Sequence, residues 1–130
     1  MNEITALLHA SLLVADLARA RAFYEGVLGL RPSPARPEMA FAGAWYEIGA
    51  AQIHLLCLPN PDPTTGRPIH GGRDRHIALA VRDLTALPAR LDTAGIAYTL
   101  SQSGRPALFL RDPDGNALEL VDSRADATSP

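Results

Sequence analysis

One nine-residue pattern occurs twice in this chain, and this duplication constrains the fold more than any other feature. The stretch HASLLVADL at residues 9–17 returns as HIALAVRDL at residues 76–84, with the His, one Leu, the Val and the Asp-Leu pair in the same places. A second similarity follows each copy, with IHL at 53–55 and LEL at 118–120. Self-similarity at a long, nearly constant spacing indicates a duplicated supersecondary unit. The sequence therefore predicts two copies of one structural module.

Equivalent positions of the two copies hold residues of the types that bind metals. They are His9, His54, His76 and Glu119. Imidazole and carboxylate groups bind divalent transition metals, and four such ligands suffice for a site. Three neutral imidazoles with one carboxylate suit Zn, Ni, Co, Fe or Mn and do not suit Ca or Mg. A buried hydrogen-bonded cluster without metal is the alternative. His70 lies outside the repeat and is not included in the predicted site.

Size and composition indicate one domain, residues 1–130, made of two half-size modules. We expect a first module at 6–58, a linker or lid at 59–73, a second module at 74–122 and a tail at 123–130. The net charge of −2 argues against nucleic-acid binding, and the chain has too few consecutive apolar residues for a membrane span. Without a recognisable signal peptide, a cytoplasmic location is expected. The only cysteine, Cys57, excludes an internal disulfide.

The first module is predicted to contain a strand, a helix and a hairpin. Residues 7–14 have the apolar density of a strand, with His9, Ser11 and Leu13 on one face. Asp16 is a predicted N-cap for a helix that ends near Leu28, with Gly29 as its left-handed stop. Residues 39–48 and 51–58 then form a hairpin around Gly49-Ala50.

The second module repeats this order. A strand from His76 is followed by a helix that Asp83 or Thr85 caps, and Pro88 in the first turn favours Thr85. The helix ends before Gly95. Three strands are then predicted at 96–100, 106–111 and 116–122, and Asp112-Pro-Asp-Gly115 has the composition of a tight turn between the last two.

In both modules the candidate ligands lie on the strand face opposite the helix, so a curled mixed sheet would direct them into a cup. Small neighbouring residues would leave room for a substrate, and an even-length hairpin loop would put Trp45 and Glu47 on the face of His54. Arginines at 67, 73, 75 and 105 are candidates for orienting an anionic substrate. The predicted substrate pocket consists of Ser11, Leu13, Trp45, Glu47, Arg75, Ala78 and Arg105.

Four motifs together resemble the vicinal oxygen chelate superfamily over residues 7–122. They are His9-x-x-Leu-x-Val-x-Asp-Leu17, Phe23-Tyr-Glu-Gly-Val-Leu-Gly-Leu30, His76-Ile-Ala-Leu79 and Asp112-Pro-Asp-Gly-Asn-Ala-Leu-Glu-Leu120. The resemblance implies an α+β fold of two paired βαβββ modules forming a cupped mixed sheet. It also implies a metal held from the first and last strands of each module. Small members are usually homodimers, with the site between modules and often across subunits.

The resemblance favours a glyoxalase-like lyase or isomerase, in which a divalent metal acts as a Lewis acid on a small substrate with vicinal oxygens. Glu119 is the candidate catalytic base, and Glu47 is a second candidate. Bacterial glyoxalase I carries Glu where this chain has His54, and an Arg that contacts glutathione where this chain has Leu13. An Fe(II) extradiol dioxygenase, which needs a Tyr where Phe109 stands, and a thiol transferase are runners-up. A metal-free drug-binding protein of the bleomycin-resistance type is the non-enzymatic alternative.

Overall fold

The structure, a computed structural model, describes residues 2–124 and divides the chain into two compact units, residues 1–62 and 63–130. Each unit has a strand, a helix and a group of further strands in that order, and the predicted α+β class is confirmed. The first unit consists of β1 (His9–Leu13), α1 (Leu17–Arg21), a π-helical segment (Ala22–Val27), β2 (Gly43–Ile48) and β3 (Ala51–Leu56). The second consists of a 3₁₀ turn (Gly71–Arg73), β4 (His76–Val81), α2 (Leu87–Thr93), β5 (Tyr98–Leu100), β6 (Ala107–Arg111) and β7 (Ala117–Asp122).

The sheet of the first unit has the strand order β1-β3-β2, with β3 parallel to β1 and antiparallel to β2. The predicted two-residue turn at Gly49-Ala50 joins β2 to β3 and places Trp45 directly opposite His54. The helical segments pack through Phe23 and Tyr24, which are buried together with Tyr46 of β2. Full burial of each large apolar side chain contributes roughly 1.5–3 kcal/mol. This core fixes the sheet from which the candidate ligands project.

The sheet of the second unit has the order β4-β7-β6-β5, with β7 parallel to β4. The predicted turn at 112–115 connects β6 to β7, and Gly115 takes a positive φ of 84° there. Its core is formed by the buried side chains of Leu87, Leu91, Leu108, Leu118 and Leu120. Among residues 2–124, no helix is both long and apolar enough to cross a membrane.

Three local features differ from the sequence-based expectations. The first helix begins at the predicted cap, where the Asp16 carboxylate accepts from the Arg19 amide at 3.1 Å, but it continues as a π-helix from Ala22. A fourth strand is absent from the described part of the first unit, and a single bridge, Pro32 to Tyr46, stands before β2. Prolines lack the amide donor that a strand ladder requires, and 31–42 contains three of them.

The predicted cap of the second helix is wrong. The structure starts α2 after Ala86, and no side chain caps it. Asp83 instead accepts from the Thr85 amide at 2.8 Å, and it also pairs with Arg124 at 2.9 Å. Its carboxylate therefore stabilises the turn before the helix. The helix end was predicted correctly, because Gly95 has a φ of 70°.

Candidate functional site

Three rings are stacked at the centre of the first unit's sheet. The ring of His54 lies between the ring of His9, at a centroid distance of 4.1 Å, and the ring of Trp45, at 4.0 Å. The planes are nearly parallel, with angles of 11° and 3°. The strand register explains this, because His54 faces Trp45 across β2–β3 while His9 opens the neighbouring strand β1. Two of the four predicted metal ligands therefore lie together.

His54 is held as a neutral imidazole. Burial lowers its pKa below the ordinary value, and the nearby His9 and Arg36 lower it further. Nε2 of His54 lies 2.7 Å from Oε1 of Gln52, to which it donates, so the lone pair of the ring is on Nδ1. Metal binding requires a deprotonated imidazole nitrogen. The electrostatic environment of His54 thus suits a ligand better than a cationic side chain.

A cavity of about 620 Å³ lies beside this stack, within the first unit. Three predicted pocket residues line it, namely Ser11, Trp45 and Glu47, whereas Leu13 is not among the lining residues. The other lining residues are mostly apolar, and they include Leu8, Met39, Phe41, Leu55 and Leu56. This space has the size and the apolar walls of a small-molecule site.

Arg36 also lines this cavity, although no sequence pattern indicated it. Its Nη2 donates to the carbonyl oxygen of Phe41 at 2.7 Å, and its guanidinium carbon lies 5.8 Å from the centre of the Phe41 ring. Arg36 belongs to a proline-rich loop without periodicity, so no pattern placed it near the ligands. The one sequence feature that could have indicated a role for Arg36 is its charge in an otherwise weakly charged segment.

The second unit brings together the other two predicted ligands. Nε2 of His76 lies 3.3 Å from Oε1 of Glu119, whose side chain is buried. In the strand register, Glu119 of β7 lies opposite Ala78 of β4 on one side and Phe109 of β6 on the other. It therefore projects from a strand that has neighbours on both sides. The ring of Phe109 meets the ring of His76 edge-on at 5.2 Å.

The orientation of His76 is set by the backbone of the loop before β4. Its Nδ1 lies 2.8 Å from the carbonyl oxygen of Asp74. A carbonyl only accepts hydrogen bonds, so Nδ1 carries a hydrogen and donates to Asp74, and the ring is turned so that Nε2 faces Glu119. This arrangement is typical of histidines that ligate metals, whose second nitrogen is oriented by an outer acceptor.

The carboxylate of Asp74 is itself held by two arginines. Its oxygens lie 2.9 Å from Arg111 and 3.1 Å from Arg67. The hydrogen bond from Arg111 is the largest cause of the lowered pKa of Asp74. Arg111 also donates to the carbonyls of Gly115 and Pro68, so it ties the loop before β4 to the β6–β7 turn. Arg67, a candidate for orienting an anion, is thus engaged in a structural ion pair.

The remaining predicted residues are distributed over the second unit. Ala78 lies on β4 opposite Glu119, and Arg75 and Arg105 are exposed in loops. His70 packs edge-on against Phe109 at 4.7 Å, and its Nδ1 lies 2.7 Å from Oγ1 of Thr99. His70 therefore has a structural role that agrees with its omission from the predicted ligands.

Both pairs consist of side chains that bind divalent transition metals, but the stacked rings of His9 and His54 hold their in-plane lone pairs in nearly parallel planes. A tetrahedral ion with donors at about 2.0–2.2 Å keeps neighbouring donor atoms roughly 3.3–3.6 Å apart, and the separation of His76 and Glu119 agrees with this. Over residues 2–124, however, no three His, Cys, Asp or Glu side chains lie close enough to hold one ion together. Each unit taken alone supplies two donors, fewer than a protein zinc site normally has.

Comparison with known proteins shows the relatives of this chain. The family model described as Glyoxalase/Bleomycin resistance protein/Dioxygenase superfamily matches residues 6–120. A lactoylglutathione lyase of Haemophilus influenzae is 33% identical, with 92% of this chain and 93% of the relative covered. Glyoxylase I 4 of Arabidopsis thaliana is 31% identical, with 91% of this chain and 71% of the relative covered.

Solved structures with the same fold include proteins of different activities. Glyoxalase I of Leishmania major has a TM-score of 0.69 at 23% identity, covering 95% of this chain and 91% of its own. TnmS3, an antibiotic-binding protein from a Streptomyces species, has a TM-score of 0.65 at 22% identity, covering 94% and 98%. At these identities the likeness concerns the fold alone.

Proposed function

Because the chain belongs to the glyoxalase/bleomycin resistance protein/dioxygenase superfamily, we propose that it is a metal-dependent, glyoxalase-like enzyme. Its substrate is a small molecule with two adjacent oxygens. The matched relatives that are named glyoxylase or lactoylglutathione lyase support this class of chemistry. The proposed metal ligands are His9 and His54 of the first unit and His76 and Glu119 of the second.

The observation that carries this proposal is the geometry of His76 and Glu119. The Asp74 carbonyl holds the imidazole so that its Nε2 faces the buried carboxylate at 3.3 Å. An imidazole and a carboxylate arranged in this way can supply two ligands to a metal. The repeat-related positions of the first unit hold two histidines, which can supply two more. We propose that the two pairs combine on one ion in the assembled homodimer.

A bound divalent ion would supply Lewis-acid polarisation of the two substrate oxygens. The chain's own residues then have three tasks. A carboxylate oxygen of Glu119 would accept the proton from the hydroxyl-bearing carbon next to the carbonyl and return it to the carbonyl carbon, while the hydroxyl proton passes to the former carbonyl oxygen. Trp45 and the apolar residues beside it exclude water from one side of the cavity. Glu47, which lines the cavity, is a second candidate for the proton transfer.

Deuterium exchange tests this function. The metal-loaded protein should catalyse solvent deuterium incorporation into α-hydroxyketones or 2-oxoaldehyde hemithioacetals in D₂O, followed by NMR. The exchange should disappear after chelation and in Glu119→Gln, and it should survive in the control His70→Ala. Exchange that persists in Glu119→Gln, or that is absent for the whole panel with fully loaded protein, contradicts the proposal.

The preferred substrate is not the standard glutathione hemithioacetal. Leu13 lies in β1 at the position where the resemblance implies a glutathione-binding Arg, and it offers no charge. Loss of one hydrogen bond to a charged group costs roughly 1.5–3 kcal/mol. We expect slow turnover of the methylglyoxal–glutathione adduct and a gain of roughly tenfold or more in Leu13→Arg. A wild-type kcat/KM above roughly 10⁶ M⁻¹s⁻¹ would contradict this expectation.

Separate observations favour two alternative functions, an Fe(II) extradiol dioxygenase and a metal-free binding protein. The hydrogen bond to Gln52 and the stacking on Trp45 engage His54, which leaves His9, His76 and Glu119 as the 2-His-1-carboxylate set of an Fe(II) extradiol dioxygenase. Oxygen uptake with catechol and Fe(II) would favour that enzyme. The aromatic cavity walls favour a binding protein, and tight binding of a bulky aromatic compound by metal-free protein without turnover would support it.

A further inference from the structure

We propose that Arg36 is the anion-binding residue of the first unit's cavity, and that the ligand is a carboxylate with a flat, apolar body. This assignment rests on the proposed function only in identifying the ligand as a substrate. Binding to the metal-free protein tests it independently.

Arg36 has no acidic partner among the residues that the structure describes. Within residues 2–124, its contacts are the Phe41 carbonyl at 2.7 Å and the Phe41 ring at 5.8 Å, and no carboxylate oxygen lies within 4.0 Å of it. By contrast, the half-buried Arg67 and Arg111 both pair with Asp74. A guanidinium that is partly removed from water without a counter-ion is costly unless a ligand supplies one.

The Arg36 guanidinium is also packed closely against Gly43 and is not fully hydrogen-bonded. Its Nε is buried and has no hydrogen-bond partner among the described residues. Gly43 leaves the space that the guanidinium occupies, because a Cβ at that position would lie 3.1 Å from Nη2 and 3.3 Å from Nε. Buried donors without partners are rare and need an explanation. A rigid guanidinium fork loses little entropy when it binds a planar oxyanion.

The other residues that line the cavity determine the polarity and the charge of a ligand that fits it. Beyond Arg36, the lining consists mainly of the apolar and aromatic side chains around Trp45, Met39 and Phe41. Glu47, the acidic side chain of the lining, disfavours a second negative charge on the ligand. Together these groups suit a monoanion whose apolar body lies against the aromatic residues. This chemistry differs from that of a large, multiply charged thiol conjugate.

Phenylglyoxylate is a suitable probe, because it combines a carboxylate, an adjacent carbonyl and a phenyl ring. Phenylglyoxylamide is its neutral control. Trp45 is the only tryptophan of the chain and lines the cavity, so its fluorescence reports binding directly. Titrations of chelator-treated protein, repeated by calorimetry, should give a phenylglyoxylate affinity at least roughly tenfold above that of the amide, as expected for one hydrogen bond to a charged group.

Arg36→Met should remove this preference by weakening carboxylate binding, while amide binding stays unchanged. Arg31→Met, an exposed arginine of the same loop that does not line the cavity, is the matched control and should behave as wild type. If Arg36→Met fails to fold, Arg36→Lys provides the comparison and should bind the carboxylate more weakly than wild type. A wild-type protein without preference for the carboxylate overturns the assignment. Retention of the preference in a folded Arg36→Met, carboxylate affinity in Arg36→Lys equal to wild type, or an equal loss of preference in Arg31→Met does so as well.

Discussion

His54 shows how one side chain obtains its properties from its neighbours. His9 and Trp45 stack on its two faces, and Gln52 binds one of its nitrogens. These contacts remove the ring from water and keep it neutral. A residue that appears as an ordinary strand histidine in the sequence becomes a positioned donor only through the register of three strands.

Gly43 lies where the structure has little room for a side chain. A Cβ at this position would overlap the carbonyl oxygen of Leu55 in the neighbouring strand, and it would also press on Arg36. Gly43→Ala should therefore lower the free energy of unfolding by roughly 1–3 kcal/mol. Gly26→Ala is the control, because nothing lies within 4 Å of its added Cβ. Equal melting temperatures for both variants would show that the strand moves freely to accept the methyl group.

Alternation and turn length made part of the site predictable at the residue scale. The two-residue turn at Gly49-Ala50 places Trp45 opposite His54, as the even-length loop predicted. Arg36 was not predictable, because proline-rich loops follow no period and their paths depend on tertiary packing. The four-ligand site remains a prediction, supported by two separate donor pairs.

At the scale of elements, the end of β7 is tied to the loop before α2 by a carboxylate. Asp122 accepts from the Leu84 amide at 3.1 Å and from the Arg124 guanidinium at 2.8 Å. The bond from Arg124 is the largest cause of a pKa well below the ordinary Asp value. The same connection explains the wrong helix cap, because Arg124 engages both candidate caps, the Asp83 carboxylate and the Thr85 hydroxyl.

This connection predicts the pH dependence of stability. The unfolded chain takes up the Asp122 proton near its ordinary pKa of about 3.9, whereas the folded protein does so only at lower pH. The carboxylate thus stabilises the fold above that pH, and the contribution is lost as pH falls through the folded-state pKa. Asp122→Asn should unfold at lower urea concentration than wild type at pH 7, and the gap should narrow below pH ~4.

Asp92→Asn is the control for this experiment, because Asp92 is exposed on α2. It should match wild type at neutral pH. A difference between wild type and Asp122→Asn that stays constant from neutral to acid pH would contradict the electrostatic origin of the stabilisation.

In the molecule as a whole, the duplicated motif predicted two copies of one module, and the family resemblance predicted the α+β class. The duplicated motif did not predict which surface would mediate the proposed assembly, because such a surface depends on residues outside the repeat. Ile4, Leu7 and Leu8 precede β1 and are 81%, 77% and 70% exposed. In the described sheet of the first unit, β1 is paired on one side only. Apolar side chains next to an open strand edge indicate a contact surface.

A second copy of the chain is the proposed occupant of this surface. Light scattering should give the mass of two chains for wild type. Leu7→Asp should shift the protein toward the monomer, because it places a charge in the apolar contact. Ile69→Asp, at a position that is 94% exposed in the loop before β4, should leave the dimer intact. A strictly monomeric wild type would contradict the proposed assembly, as would identical behaviour of the two variants.

Metal affinities of the wild type and of two histidine variants test the proposed four-residue site. Isothermal titration of chelator-treated protein with Zn²⁺, Ni²⁺ or Co²⁺ should give one ion per chain for wild type. His76→Ala should weaken binding by more than about 100-fold, beyond the 10–100-fold that changes in outer-shell residues cost. His70→Ala removes the remaining histidine of the chain and should leave the affinity near wild type. Equal losses in the two variants, or no binding by wild type, would contradict the account.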